Sequence, residues 1–162
     1  MSAAQNKRIC EIELDEKSII SRSAEVEHER RVAIFDLLEE NHFDPQTKYE
    51  GDYDGPYKVV LSLIEDRLSM EIFSDQDQLL ETIILPLKSF RRVIKEYFMI
   101  CESYFNAIKK ASPSQIEAID MGRRGLHNEG SEILRERLED KIALDLNTAR
   151  RLFTLICVLQ IR

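Results

Sequence analysis

From Phe90 to Ile108 the large apolar side chains recur every three or four residues: Phe90, Ile94, Tyr97, Cys101, Tyr104, Phe105 and Ile108. That is the period of one helix face. Leu87 to Lys110 is therefore expected to be a central core helix of roughly six turns. A helix that long, apolar along one stripe, needs a second layer to cover it, and this requirement limits the folds open to the chain. Its aromatic residues are read as packing rather than as a cofactor box.

The second layer is announced by a change of period. Lys7 to Leu14 sets Cys10, Ile12 and Leu14 against Ile9, Glu11 and Glu13, the two-residue alternation of a strand with one buried face. Val59, Leu61 and Leu63 come opposite Leu68, Met70 and Ile72 if the chain reverses at Glu65-Asp66, which pairs Ile64 with Arg67 in a tight hairpin. Thr82 to Leu85 supplies a third strand, ended by Pro86, which has no N–H for a ladder. These three form an antiparallel meander.

Helical spacing also governs Ser23 to Asn41, through Val26, Ala33, Ile34, Leu37 and Leu38, with Glu25, Glu27 and Glu29 early, where they complement the helix dipole. Asn41 to Pro56 reads as an acidic, turn-rich loop that lacks the ligand spacing of a calcium-binding loop. Ser112, Pro113 and Gln115 form a capping box that starts a helix at Pro113, with Ile116 and Ile119 inward and Gly122 expected to end it in a left-handed cap. Leu126, Gly130, Ile133, Leu134 and Leu138 resume the helical period, with Gly130 placed for close approach of a second backbone. Lys141 to Asp145 is a short strand, and Asn147 is expected to cap a last helix whose Leu152 to Leu159 is apolar nearly all round. Its β-branched residues leave a strand as the alternative.

The resulting expectation is an α+β fold: an antiparallel sheet of three to five strands with four helices packed mainly on one face, in a single two-layer domain over residues 1–162, with residues 1–6 a flexible tail. Cys10, Cys101 and Cys157 are odd in number and scattered among apolar neighbours, which is core usage; no Cys or His pairing suits a metal, and no cofactor is expected. The longest apolar run, Leu152 to Leu159, is far short of the ~20 residues that span a bilayer. Met1 to Arg8 is polar and lacks the apolar core of a secretory signal, so the expected location is the cytoplasm.

A net charge of −7 argues against nucleic-acid binding, but the charge is divided. Residues 1–81 carry 9 Lys and Arg against 20 Asp and Glu, whereas residues 82–162 carry 14 against 10. A local anion-binding surface is therefore possible in the later half. Eight of the 14 arginines stand in adjacent pairs: Arg30-Arg31, Arg91-Arg92, Arg123-Arg124 and Arg150-Arg151. Glu27, four residues before Arg31, explains the first as a helical ion pair. The second and fourth fall early in helices, where added cations call for a compensating anion, an internal carboxylate being favoured over a ligand.

Met121 to Gly130 crowds three glycines, Arg123, Arg124, His127 and Glu129 into what reads as a break between helices. Glycines there would free the backbone while two guanidinium groups clasp an oxyanion. His127 and Glu129 are the candidates for acid-base work, although an i, i+2 pair faces apart on a helix and meets only if the helix begins later, near Ser131. The expected ligand-binding set is Arg123, Arg124, His127, Arg150 and Arg151.

Gly55-Pro56-Tyr57, Met121 to Gly130, and Asn147-Thr148-Ala149-Arg150-Arg151-Leu152-Phe153-Thr154-Leu155 together resemble a bacterial family known only as an uncharacterised protein family, over essentially the full length. The resemblance implies a small bacterial cytosolic protein and brings no activity, cofactor or catalytic residue. The leading expectation is a non-enzymatic regulatory or adaptor module that docks an acidic or phosphorylated partner, or a small anion, on the basic half. Its rivals are an enzyme on a small phosphorylated or carboxylated substrate with His127 as general acid or base, and a homodimer formed through Gly130 and the last helix.

Overall fold

The computed structural model describes residues 6–15 and 24–160. Most of the expected terminal tail, and Ser23 at the start of the first helix, lie outside the described residues. Strands β1 (Ile9–Asp15), β3 (Tyr57–Ile64), β4 (Arg67–Phe73) and β5 (Leu79–Pro86) form one sheet in the order β1-β3-β4-β5. β2 (Phe43–Pro45) and β6 (Ile142–Leu144) form a second, two-stranded sheet. The helices among the described residues are α1 (Ala24–Glu39), α2 (Arg91–Lys110), α3 (Pro113–Leu138) and α4 (Leu146–Gln160), with short 3-10 turns at Glu50–Asp52 and Leu87–Ser89.

The hairpin has the expected register, Leu61 opposite Met70 and Ile64 opposite Arg67, and β5 extends the meander with Leu85 opposite Leu68. Tyr57, Val59, Leu61, Leu68, Met70, Ile72, Ile83 and Leu85 are all buried on its inner side. Two features correct the sequence reading. β1 joins the sheet parallel to β3, with Leu14 beside Leu61, because the helix between them carries the chain back before the second strand begins. The acidic loop contains a strand, β2, whose Phe43 pairs antiparallel with Leu144. Its partner lies about a hundred residues away, beyond the reach of a local period.

Asn41 locks these parts together. Its Oδ1 accepts from Ile9 N at 2.7 Å, while its Nδ2 donates to Ile9 O and to Leu37 O at 3.0 and 2.8 Å. One amide side chain thus satisfies the last turn of α1 and the first residue of β1.

The central core element is α4, not α2. Ala149, Leu152, Phe153, Leu155 and Ile156 of α4 are wholly buried, and Val158 is nearly so. Burial on almost every side lets this segment be helical despite its β-branched residues, tertiary packing overriding propensity. Its cap is Asp145, whose Oδ1 accepts from Thr148 N at 3.0 Å, so Asn147 falls inside the first turn instead of capping it. In α2 the stripe is buried at Phe90, Ile94 and Tyr97, but Phe105 and Ile108 remain 48% and 52% exposed.

The largest correction concerns Met121 to Gly130. This segment is no break: α3 runs unbroken from Pro113, behind the expected capping box, through Gly122 and Gly130 to Leu138. Gly122 does not end the helix, because its missing side chain makes room for Ile100 of α2, whose Cδ1 would lie 2.7 Å from an added Cβ. At Gly130 an added Cβ would lie 2.2 Å from Cζ of Phe153, so an aromatic ring, not a second backbone, occupies that approach. Each glycine costs the helix about 1 kcal/mol relative to Ala, and close contact with the two flanking helices offsets that cost. Ile119 and Leu126 are seven residues apart, which preserves the phase of the inward stripe across the glycines.

These contacts make opposite substitutions at neighbouring glycines. Gly130→Ala is expected to lower unfolding free energy by about 1–3 kcal/mol, because the enclosed Phe153 ring has nowhere to move. Gly125→Ala, where nothing lies within 4 Å of an added Cβ, is expected to raise it by up to about 1 kcal/mol. Urea denaturation of both variants reads the difference.

Candidate functional site

Because α3 is continuous, the side chains expected to act as one cluster are dealt to different faces. Glu129 points outward and pairs with Arg92 of α2, which also holds Glu96 at 2.7 Å. His127 points inward. Its Nε2 lies 2.7 Å from Thr154 Oγ1 of α4, and its ring meets Tyr97 and Phe153 edge-on, at centroid distances of 5.4 and 5.2 Å. The expected His127–Glu129 acid-base pair therefore does not form.

Arg123 and Arg124 lie on the helix, not at a turn, and share one carboxylate. Arg123 donates to Asp120 Oδ1 at 2.6 Å and Arg124 to Asp120 Oδ2 at 2.7 Å. The two guanidinium groups hold the Asp120 carboxyl below the usual range. Arg123 also stacks over the Tyr104 ring at 4.6 Å. The arginines at the start of α2 are likewise met internally, Arg91 by Asp66 at 3.1 Å. The last pair differs. Arg151 reaches Asp36 of α1 only at 4.0 Å, and the Arg150 guanidinium has no ion pair or hydrogen bond among the described residues.

Despite this dispersal, all five expected ligand-binding residues reach one place. Arg123, Arg124, His127, Arg150 and Arg151 line a groove of about 690 Å³ between α1, α2, α3 and α4. Four guanidinium groups thus face two carboxylates, Glu29 and Asp36, in its wall. Helical spacing assembles the α4 side: Asn147, Arg150, Arg151 and Thr154 fall on one stripe, opposite the face that packs on the sheet.

The sequence reading missed Glu29, Tyr97 and Thr154 as wall residues. Thr154 carried a signal, as the one polar interruption of the apolar run Leu152 to Leu159; Tyr97 is indistinguishable by period from its packing neighbours. Burial raises the Glu29 carboxyl, with the charge of Arg123 and a hydrogen bond from Tyr97 opposing that rise. Burial also pushes the Tyr97 phenol up.

The protonation of His127 follows from its contacts. Thr154 Oγ1 donates to Arg150 O at 3.2 Å, so its single proton is spent and it accepts from His127 Nε2–H. A neutral imidazole in that tautomer presents Nδ1 as an acceptor. That atom is buried and has no partner among the described residues, and the same holds for Arg151 Nε. Desolvation, reinforced by the charges of Arg150 and Arg123, lowers the His127 pKa from 6.5 to about 4.

The chain matches the family model described as Uncharacterised protein family (UPF0262) over residues 6–162. A UPF0262 protein of Paramagnetospirillum magneticum is 60% identical over 156 residues, 96% of this chain and 97% of the relative. One from Rhizobium meliloti is 58% identical over 160 residues, 98% of each chain, and one from Rhodospirillum rubrum is 56% identical over 154 residues, 95% of this chain and 92% of the relative. No solved structure is a significant match. Among the described residues no helix is long and apolar enough to cross a membrane.

The depressed histidine has a signed consequence for stability. Between pH 6.5 and about 4 the unfolded chain binds a proton at His127 that the folded chain refuses, so folding weakens as pH falls through that window. Denaturation of the parent and of His127→Gln across this range is expected to show a steeper loss in the parent, and ¹⁵N NMR a neutral, Nε2-protonated ring at pH 6.

Proposed function

The chain belongs to the uncharacterised protein family UPF0262, and with no chemistry supplied by that membership we propose that it is a binding module whose groove recognises an anionic group. One observation carries this reading: a guanidinium without a partner, Arg150, stands beside a buried and unsatisfied Arg151 Nε on the wall of a cavity that also holds an unsatisfied His127 Nδ1. Leaving buried polar nitrogens unbonded costs about 1–3 kcal/mol each. The surrounding chain has abundant carboxylates and has used them on Arg91, Arg92, Arg123 and Arg124. Among the described residues that line this groove, Arg150 is the arginine left with neither an ion pair nor a hydrogen bond.

The reading is narrower than the sequence alone supported, because Arg123 and Arg124 serve chiefly to hold Asp120 and the wall, while Arg150 and Arg151 make the contact. It also favours binding over proton transfer. His127 is neutral near pH 7, its proton is committed to Thr154, and Glu129 faces the other way. A docked anion with a hydroxyl or N–H beside it satisfies Arg150, Arg151 and the Nδ1 lone pair together.

Calorimetric titration of the whole protein with inorganic phosphate and with acetate, at low ionic strength, tests the reading. Arg150→Gln is expected to weaken anion binding roughly 10- to 100-fold, the scale of a charge-assisted contact, with little change in melting temperature because Arg150 makes no internal pair. Equal anion affinity in Arg150→Gln and the parent would overturn it.

A further inference from the structure

The anion-binding groove does not end at Thr154. A second cavity, of about 460 Å³, adjoins it and shares Glu29, Tyr97, Phe105 and Thr154 in its wall. Beyond those shared residues its inner wall is Phe98, Cys101, Cys157 and Val158, with Glu102, Asn106 and Gln160 as its polar lining. Along α4 the two cavities follow one helical stripe, Arg150, Arg151, Thr154, Cys157 and Val158, which passes from cationic through hydroxyl to apolar.

We infer that the ligand is a small organic anion carrying an apolar body, its carboxylate or phosphate on Arg150 and Arg151 and its apolar part lying past Thr154 against Phe98, Cys101 and Phe105. This rests on the anion-binding reading and specifies the substrate class of that site. Three features of the molecule support it.

The first is shape. Each cavity by itself falls in the volume range of small-molecule sites, about 300–1,000 Å³, and a groove walled by four helices suits a small ligand better than a flat protein surface. The second is uncovered apolar surface where the tail would lie. The α2 stripe that the sequence writes for burial loses its cover at Phe105, 48% exposed, and Val32 of α1 on the facing wall is 42% exposed. Large apolar side chains left open on both sides of one groove are a mark of ligand contact. The third is polarity along the axis. Arg150 and Arg151 lie at one end only, while the carboxylate of Glu29 stands at the junction, engaged by Tyr97 and facing Arg123, and repels an anion from the middle.

Orientation is thereby fixed, head toward the start of α4 and tail toward its end. The length follows from the helix: Arg151 to Val158 is seven residues, roughly 10 Å at 1.5 Å per residue. An unbranched chain of medium length or one or two rings fits that span.

The probes are acetate, butyrate, hexanoate and octanoate, with inorganic phosphate and octyl phosphate as the phosphate-headed arm, titrated into the whole protein below micellar concentrations. In the parent, affinity is expected to rise up to about fourfold per added methylene until the cavity is filled. Arg150→Gln should weaken every member of a series alike, whereas Phe105→Ala, an exposed position, should weaken octanoate and leave acetate unchanged. Octanoate, not acetate, should slow alkylation of Cys101, read by mass spectrometry in a Cys10→Ser background. The better-binding series identifies the head as carboxylate or phosphate. Head-only anions that bind through Arg150 with no gain from chain length would overturn the apolar body and leave the anion site standing. Chain-length dependence that survives undiminished in Arg150→Gln, or no binding by any probe, would overturn the anion site and this inference with it.

Discussion

The edge of the Phe153 ring, set where a Cβ on Gly130 would lie, fixes how the helices around the groove are placed. With no Cβ at Gly130, α3 and α4 approach until the ring is wholly buried, and burying such a side chain contributes about 2–3 kcal/mol. The same ring faces Tyr97 of α2 at 6.2 Å and His127 of α3 at 5.2 Å, so three helices are keyed to one aromatic box. Thr154, next in the chain, then falls within hydrogen-bond distance of His127, one turn before Gly130. The groove wall is a continuation of core packing, which makes its polar groups rigid before any ligand arrives.

Rigidity matters because the electrostatics of the groove depend on which cations the fold neutralises. Arg123 and Arg124 lie one helical turn from Asp120 and are held by it as a unit. Arg92 is drawn between Glu96 and Glu129, spending the carboxylate that sequence spacing had suggested for His127. Arg150, on the wall of the groove, finds no such partner among the described residues. The field of Arg150 and Arg123, added to burial, keeps His127 neutral, so a site rich in cations presents an imidazole lone pair at its floor. The cationic end of the groove and its more apolar end are two results of one arrangement: α4 displays its polar turn and its apolar turns along the same stripe.

Local regularities in the sequence carried far. The α2 stripe, the hairpin register of Ile64 with Arg67 and the capping box at Ser112 all depend on residues within a few positions of one another, where spacing and hydrogen-bond chemistry decide the outcome. The errors came where partners are distant. Phe43 pairs with Leu144 and β1 lies parallel to β3, both closed by long intervening chain. At Met121 to Gly130 the glycines were read as a break between helices, when Gly122 and Gly130 are absences of side chain within one helix that let Ile100 and Phe153 come close.

For the site itself, the five candidate residues were recognisable as arginine pairs and a histidine in the basic half of the chain, and they do meet in one groove. The rank among them was not. The sequence by itself determined the periods, the caps and the α+β class, because these arise from steric and hydrogen-bonding rules acting over one or two turns. Tertiary structure alone decided that α3 runs on through the glycines, which puts Asp120 one turn from Arg123 and Arg124, that Arg150 is left without such a carboxylate among the described residues, and that His127 faces Thr154 while Glu129 faces Arg92. Coulomb and desolvation energies depend on distances between elements and on the water excluded between them, and no local spacing encodes either.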